Sequence, residues 1–143
     1  MAKQATKTSR ITDLIEDDYN ANLGSLEGMK ILKESVERFG AGRSILVDKN
    51  NRIIAGNKTK RTAEESGLEE VIIVKAKANQ LVAVMREDID LDTLEGRSMA
   101  IADNRTSEKN LVWDVDNLEK IEDKFSVDLK LHWNETELRS LFS

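Results

Sequence analysis

Cysteine and proline are both absent from this chain of 143 residues, and histidine occurs once. Without cysteine there is no disulfide framework, no thiolate zinc site and no thiol nucleophile. His132 alone excludes His-rich metal sites and triads that need a partner histidine. Without proline, turns fall to glycine, asparagine and aspartate. No apolar run approaches the roughly 20 residues of a membrane helix, and residues 1–5 lack the apolar stretch of a signal peptide. The expectation is a cytoplasmic protein with no membrane partner. A net charge of −5 argues against broad, unspecific DNA binding by the whole surface, so any nucleic-acid contact must be local.

What is present is a chain 39% hydrophobic and 34% charged, which reads as one soluble globular domain able to bury its own core. Against the acidic background, Arg52-Ile53-Ile54-Ala55-Gly56-Asn57-Lys58-Thr59-Lys60-Arg61 holds four positive charges and no acid. A short apolar strand delivers a glycine and then a basic helix start. Free N–H groups, the positive helix end and the approach that glycine allows make such a turn a natural anion seat.

Residues 1–9 read as a frayed tail and residues 10–15 as a first strand. Met29, Leu32, Val36 and Phe39 recur at helical spacing between a Ser25 cap and a Gly40 stop. Residues 44–48 and 52–55 read as a hairpin, and 57–66 as a polar helix stopped by Gly67. Strands are expected at 71–74 and 81–85. After an acidic link, three helices follow: one from Thr93 with Leu94, Ser98, Ile101 and Ala102 on one face, one from Asp114 with Leu118, Ile121 and Phe125, and one with capping-box spacing at Asn134–Glu137. The organisation is thus α/β (α+β): a tail at 1–9, a core at 10–86 and a helical extension at 87–143 packed on it.

The order of strand, loop, helix, hairpin, glycine-containing basic turn, helix and strand resembles the ParB/sulfiredoxin-like superfamily. The likeness is to the ParB N-terminal (ParB-like nuclease) domain of the phage and DNA-modification type. It is carried by Ile11-Thr12-Asp13-Leu14, Asn20-Ala21-Asn22, the helix ending Ser35-Val36-Glu37-Arg38-Phe39-Gly40, Ile45-Leu46-Val47-Asp48 and Arg52-Ile53-Ile54-Ala55-Gly56. Downstream, Ala100-Ile101-Ala102-Asp103-Asn104-Arg105 and Trp113-Asp114 continue it. The resemblance implies a mixed sheet with helices. It also implies a phosphate-binding turn at Gly56, Asn57, Lys58, Thr59, Lys60 and Arg61. Partition proteins carry Gly-Glu-Arg-Arg-x-Arg there, sulfiredoxin Gly-Cys-His-Arg, and the methyltransferase-linked form Gly-His-Gly-Arg. Gly56 matches every version and Arg61 the last Arg of the partition form. Asn57 departs from all of them, and the missing cysteine excludes sulfiredoxin chemistry. Lysine lacks the bidentate fork of arginine.

The same resemblance implies that Asn20, Asn22, Ser35, Arg43, Asp103, Asn104 and Arg105 line the pocket. The implied ligand is a nucleoside triphosphate (ATP or CTP), with Mg²⁺, or DNA. The implied partners are a DNA-modifying or phage packaging protein, and a homodimer is open. The chain has no room for the DNA-reading and dimer domains of a partition protein or for a methyltransferase domain. Three functions compete: a binding module acting in partition, modification or phage DNA metabolism; an enzyme of the same fold (nuclease, NTPase or small-molecule kinase) using Asp13, Glu16, Asp17 or Glu27; and a phage or mobile-element interaction protein without a ligand. The acids at 88–92 read as a solvated edge rather than a metal site, His132 as packing or surface, and Trp113 and Trp133 as core anchors.

Overall fold

The computed structural model describes residues 6–40, 44–109 and 112–143. Over these residues the protein is mixed α and β, with five helices and two small antiparallel sheets. Strand β1 (Thr6–Arg10) pairs antiparallel with β4 (Glu70–Val74), Thr6 opposite Val74 and Arg10 opposite Glu70. The first strand therefore starts within the segment expected to be a tail. It ends where the strand was expected to begin, because Ile11–Asp13 form a 3₁₀ turn. Ile11 and Leu14 are both buried, and their spacing of three suits a turn and not the alternation of a strand. The Asp13 carboxylate accepts the Arg10 N–H at 3.0 Å, and the Ile11 N–H donates to the Glu69 carbonyl at 2.8 Å.

Helix α1 (Leu26–Phe39) forms as its periodicity predicts. The Ser25 hydroxyl accepts the Gly28 N–H at 2.9 Å, Leu32, Val36 and Phe39 are buried, and Gly40 closes the helix at φ 75°. Strands β2 (Leu46–Val47) and β3 (Ile53–Ala55) form the expected hairpin. Asp48 organises its turn by accepting the N–H groups of Arg52 and Asn50 at 2.9 and 2.8 Å. Those two bonds, the Arg52 one first, hold the Asp48 carboxyl below the usual aspartate value. The hairpin and the β1–β4 pair stay separate sheets, where a single mixed sheet was expected. The parallel pairing among the described residues is the isolated bridge between Ile15 and Arg52. Helix α2 (Asn57–Glu65) follows β3 directly.

Residues 81–85 form no strand, although their composition favours one. Leu81 is 98% exposed and Met85 84%. Helix α3 (Leu94–Lys109) packs on α1, but not through the expected face. Leu94 and Ile101 point outward, while Gly96 and Thr106 are buried. Apolar residues are spread around this helix, so its periodicity does not single out a face. Gly96 and Thr106 sit inward instead, with Ser98, Met99, Ala100 and Ala102 half-buried, and the Thr106 hydroxyl donates to the Ala102 carbonyl at 2.8 Å. Helices α4 (Val115–Phe125) and α5 (Glu135–Leu141) carry the expected Asp114 cap and Asn134–Glu137 capping box. Leu118 of α4 is buried as predicted, whereas Phe125 is half out and meets Tyr19 edge-on at 5.5 Å. Trp113 and Trp133, expected as core anchors, are not in the buried core; they pack edge to face on each other at 5.0 Å, with Trp113 exposed and Trp133 half-buried. No helix among the described residues is long and apolar enough to cross a membrane.

Candidate functional site

Gly56 sits between β3 and α2 with φ 108° and ψ 22°, in the left-handed region that only glycine enters without strain. It is the N-cap of α2 and has no side chain to cap it. The first intrahelical bond runs from the Lys60 N–H to the Gly56 carbonyl at 2.9 Å. The N–H groups of Asn57, Lys58 and Thr59 accordingly have no acceptor among the described residues. Three open donors at the positive end of a helix attract negative charge.

The side chains of this turn diverge. Asn57 is buried, and its Oδ1 accepts the Asp17 N–H at 2.9 Å, so that group fastens the turn to the preceding loop. Lys58 Nζ donates to the Asn22 carbonyl. Its pKa is held below the ordinary lysine value, first by burial and then by the positive charge of Arg61. Lys58 has no carboxylate partner among the described residues. Lys60 lies 2.9 Å from Glu64 and 3.7 Å from Glu16, and Arg61 lies 2.6 Å from Glu16. Of the three cations in the turn, Lys58 alone has no carboxylate partner among the described residues.

Thr59 faces the other way, into a cavity of about 790 Å³ between α1, α2, α3 and β4. Ser35 and Asp103 line the same cavity, so these three expected pocket residues do converge. Asn20 and Asn22 do not line the cavity; they lie in a loop stitched to the start of α4, and Asn22 meets the turn through the carbonyl that accepts from Lys58 Nζ. Asn22 Oδ1 accepts from the N–H groups of Gly24 at 3.0 Å and Val112 at 3.1 Å. Asn117 Nδ2 donates to the Asn20 carbonyl at 3.0 Å, and the Asp114 N–H to the Ala21 carbonyl at 2.6 Å. Asn104 and Arg105 are exposed on α3 and do not line the cavity; Asn104 Nδ2 donates to the Ala100 carbonyl of its own helix at 3.1 Å. Arg43 lies outside the described residues.

Sequence reasoning missed two features. Glu16 is the counter-ion that Lys60 and Arg61 share. Buried in the structure are also the hydroxyls of Thr62 and Ser66, which have no partner among the described residues. A signal for the second existed, since α2 has one apolar residue, Ala63, and a helix so polar must bury hydroxyls when it packs. Of the carboxylates considered for catalysis, Asp13 accepts from Arg10 and Asp17 Oδ1 from the Tyr19 N–H at 3.0 Å. Among the described residues no group of three or more His, Asp or Glu side chains is placed to hold a metal.

Gly56→Ala gives a first expected outcome. An added Cβ would stand 3.0 Å from Ile45 Cγ1, at a φ that disfavours any side chain. Strain and contact together cost about 2 kcal/mol, read as a drop in the urea midpoint at constant m-value. No protein-family model and no curated protein matches this chain.

Proposed function

We propose that the chain is a ParB-like module that holds a nucleoside triphosphate, or the phosphates of a DNA backbone, at the Gly56 turn. In this reading it acts in a DNA-related process beside a partner protein. The observation that carries it is the uncapped start of α2. The open N–H groups of Asn57, Lys58 and Thr59 stand next to Lys58, a half-buried cation that no carboxylate among the described residues neutralises. Phosphate oxygens would satisfy both at once. Lys60 and Arg61 would form an outer pair that a phosphate must win from Glu16. The cavity carrying Ser35, Thr59 and Asp103 is open on the inner side of the same helix and has the size of a small-ligand site.

Calorimetric titration with ATP, CTP, GTP, inorganic tripolyphosphate and a short duplex DNA, each with and without Mg²⁺, tests the reading. Saturable binding of a triphosphate or of the duplex is expected. No heat with any of these ligands would sink it and leave the interaction-protein alternative. Glu16→Gln provides a second check. It frees Lys60 and Arg61 from an exposed ion pair worth about 0.5–1 kcal/mol, so the same titration should tighten roughly two- to fivefold.

A further inference from the structure

Residues 81–85 (Leu-Val-Ala-Val-Met) are apolar and uncharged, yet the run makes no backbone hydrogen bond among the described residues. Leu81, Val84 and Met85 are 98%, 65% and 84% exposed. Leu81, Val82 and Val84 stand at the mouth of the apolar cavity, whereas Ala83 and Met85 do not line it. From Val82 onward the side chains therefore alternate as in a strand. Beside the run, β4 lies along the same cavity. One edge of β4 is taken by β1, and the other carries no ladder among the described residues.

The β1 pairing fixes which groups that open edge presents. Ile11 stands opposite Glu69 in the register that sets Arg10 opposite Glu70, and the Ile11 N–H donates to the Glu69 carbonyl at 2.8 Å. Hydrogen-bonded pairs alternate along an antiparallel ladder. Val71 and Ile73 thus turn their N–H and C=O groups to β1, and Ile72 and Val74 turn theirs to the open edge. The link from β4 to the run is already a closed turn. The Gln80 N–H donates to the Lys77 carbonyl at 3.0 Å, and Gln80 Oε1 accepts the Lys77 N–H at 2.9 Å. With Lys77–Gln80 as a four-residue hairpin loop, Ala76 stands opposite Leu81, Val74 opposite Ala83 and Ile72 opposite Met85. Val74 and Ile72 are the residues whose backbone groups are open. The same register sets Val84 beside Ile73 and Met85 beside Ile72. Ile73 is half-buried and Val84 lines the cavity, while Ile72 is 65% exposed and Met85 points away. The alternation of hydrogen-bonding groups and the alternation of side chains select one register.

We propose that 81–85 is a hinged strand that closes on the open edge of its own β4 and shuts the apolar cavity, the structure showing its open position. Its hinges are the Lys77–Gln80 turn and Arg86, which forks onto Asp88 at 2.8 and 2.7 Å. Closing turns the β1–β4 pair into three strands and gives the N–H groups of Leu81, Ala83 and Met85 acceptors on Ala76, Val74 and Ile72. It lays Val82 and Val84 across the cavity mouth, so an apolar ligand enters only when the strand lifts. The device does not depend on the phosphate reading, because no residue of the strand or of its receiving edge belongs to the Gly56 turn.

Residue-resolved hydrogen exchange on the wild-type chain reads the closure. The Ala83 and Met85 amides should exchange at least about tenfold more slowly than those of Val82 and Val84, which face solvent at the new edge, and should do so independently of protein concentration. The chain has no cysteine of its own, so Ile73→Cys/Val84→Cys locks the closed form. In the proposed register these two form a non-hydrogen-bonded pair with Cα atoms about 4.5 Å apart, within disulfide reach. Mild oxidation should give an intramolecular disulfide in the monomer. The reduced variant should take up Nile red, the oxidised one should exclude it, and reduction should restore uptake. Uniformly fast exchange across 81–85, or failure of the disulfide to form within one chain, would mean that the run stays open and would overturn the proposal. Protection that appears only as the chain associates would give the edge to a second copy, with the same consequence. Equal Nile red uptake by the oxidised and reduced forms would show that the strand does not gate the cavity.

Discussion

Gly96→Ala is expected to lower stability by about 3 kcal/mol. Gly96 is buried in the first turn of α3, and a Cβ there would lie 2.1 Å from the Asp90 carbonyl oxygen and 2.8 Å from Leu91 Cα. These are main-chain atoms, so no side-chain rotation relieves the overlap, and the 90–92 turn must move as a unit. That turn also builds the helix start. The Thr93 hydroxyl donates to the Asp90 carbonyl at 2.6 Å and accepts the Gly96 N–H at 3.1 Å, so displacing it removes the cap as well. Gly67→Ala separates this effect from glycine strain. Gly67 has φ +86° and nothing within 4 Å of an added Cβ, so only its conformational cost of about 1 kcal/mol remains. Guanidinium or urea unfolding of the two variants should give a larger loss at Gly96, although its backbone is the less strained. Equal losses would mean that the 90–92 turn yields freely.

Elements whose ends carry their own hydrogen-bonding chemistry were legible in the sequence. Ser25 and Gly40 bracket α1, Asp114 starts α4, and the Asn134–Glu137 pair starts α5, because a cap is a local interaction and residues three apart suffice to state it. The hairpin at Asp48 was legible for the same reason. Long-range choices were not. Ile11 and Leu14 look like part of a strand until the turn between them is seen to be closed by Asp13 and by the distant Glu69 carbonyl. The inward face of α3 was misplaced because apolar residues are spread around this helix, so its periodicity singles out no face, and Leu94 and Ile101 end up exposed. Residues 81–85 have the composition of a strand, but a strand exists only when an edge receives it, and no pattern within the run says which edge. At the candidate site, the glycine and the basic helix start were readable as a unit. The division of labour inside them was not: Asn57 buried on Asp17, Lys58 on Asn22, and Lys60 and Arg61 held by Glu16 depend on a loop some forty residues earlier in the chain.

That division of labour sets the order of effects for anion binding. Lys58→Ala should weaken triphosphate or tripolyphosphate binding by roughly 10- to 100-fold, the range of a charge-assisted bond in a partly desolvated setting, about 1.5–3 kcal/mol. Lys60→Ala and Arg61→Ala should each cost less than fivefold, since both side chains already have carboxylate partners and give up one ionic contact to make another. The fold should survive Lys58→Ala, because only its bond to the Asn22 carbonyl is lost. The Asn22 loop keeps its ties to Val112, Asp114 and Asn117. The charge of Lys58 adds a pH signature. Burial and Arg61 hold its pKa in the free protein below the usual lysine value of 10.5. A bound anion favours the protonated amine and raises that pKa, so binding is linked to proton uptake. Affinity should be full below the free protein's Lys58 pKa and decline as pH rises through it, earlier on the pH scale than an ordinary lysine would dictate. Lys58→Arg should move that decline to higher pH, because guanidinium stays charged throughout the range. If Lys58→Ala binds as tightly as wild type while Arg61→Ala does not, the anion sits on the outer, Glu16 side of the helix and not at its uncapped start.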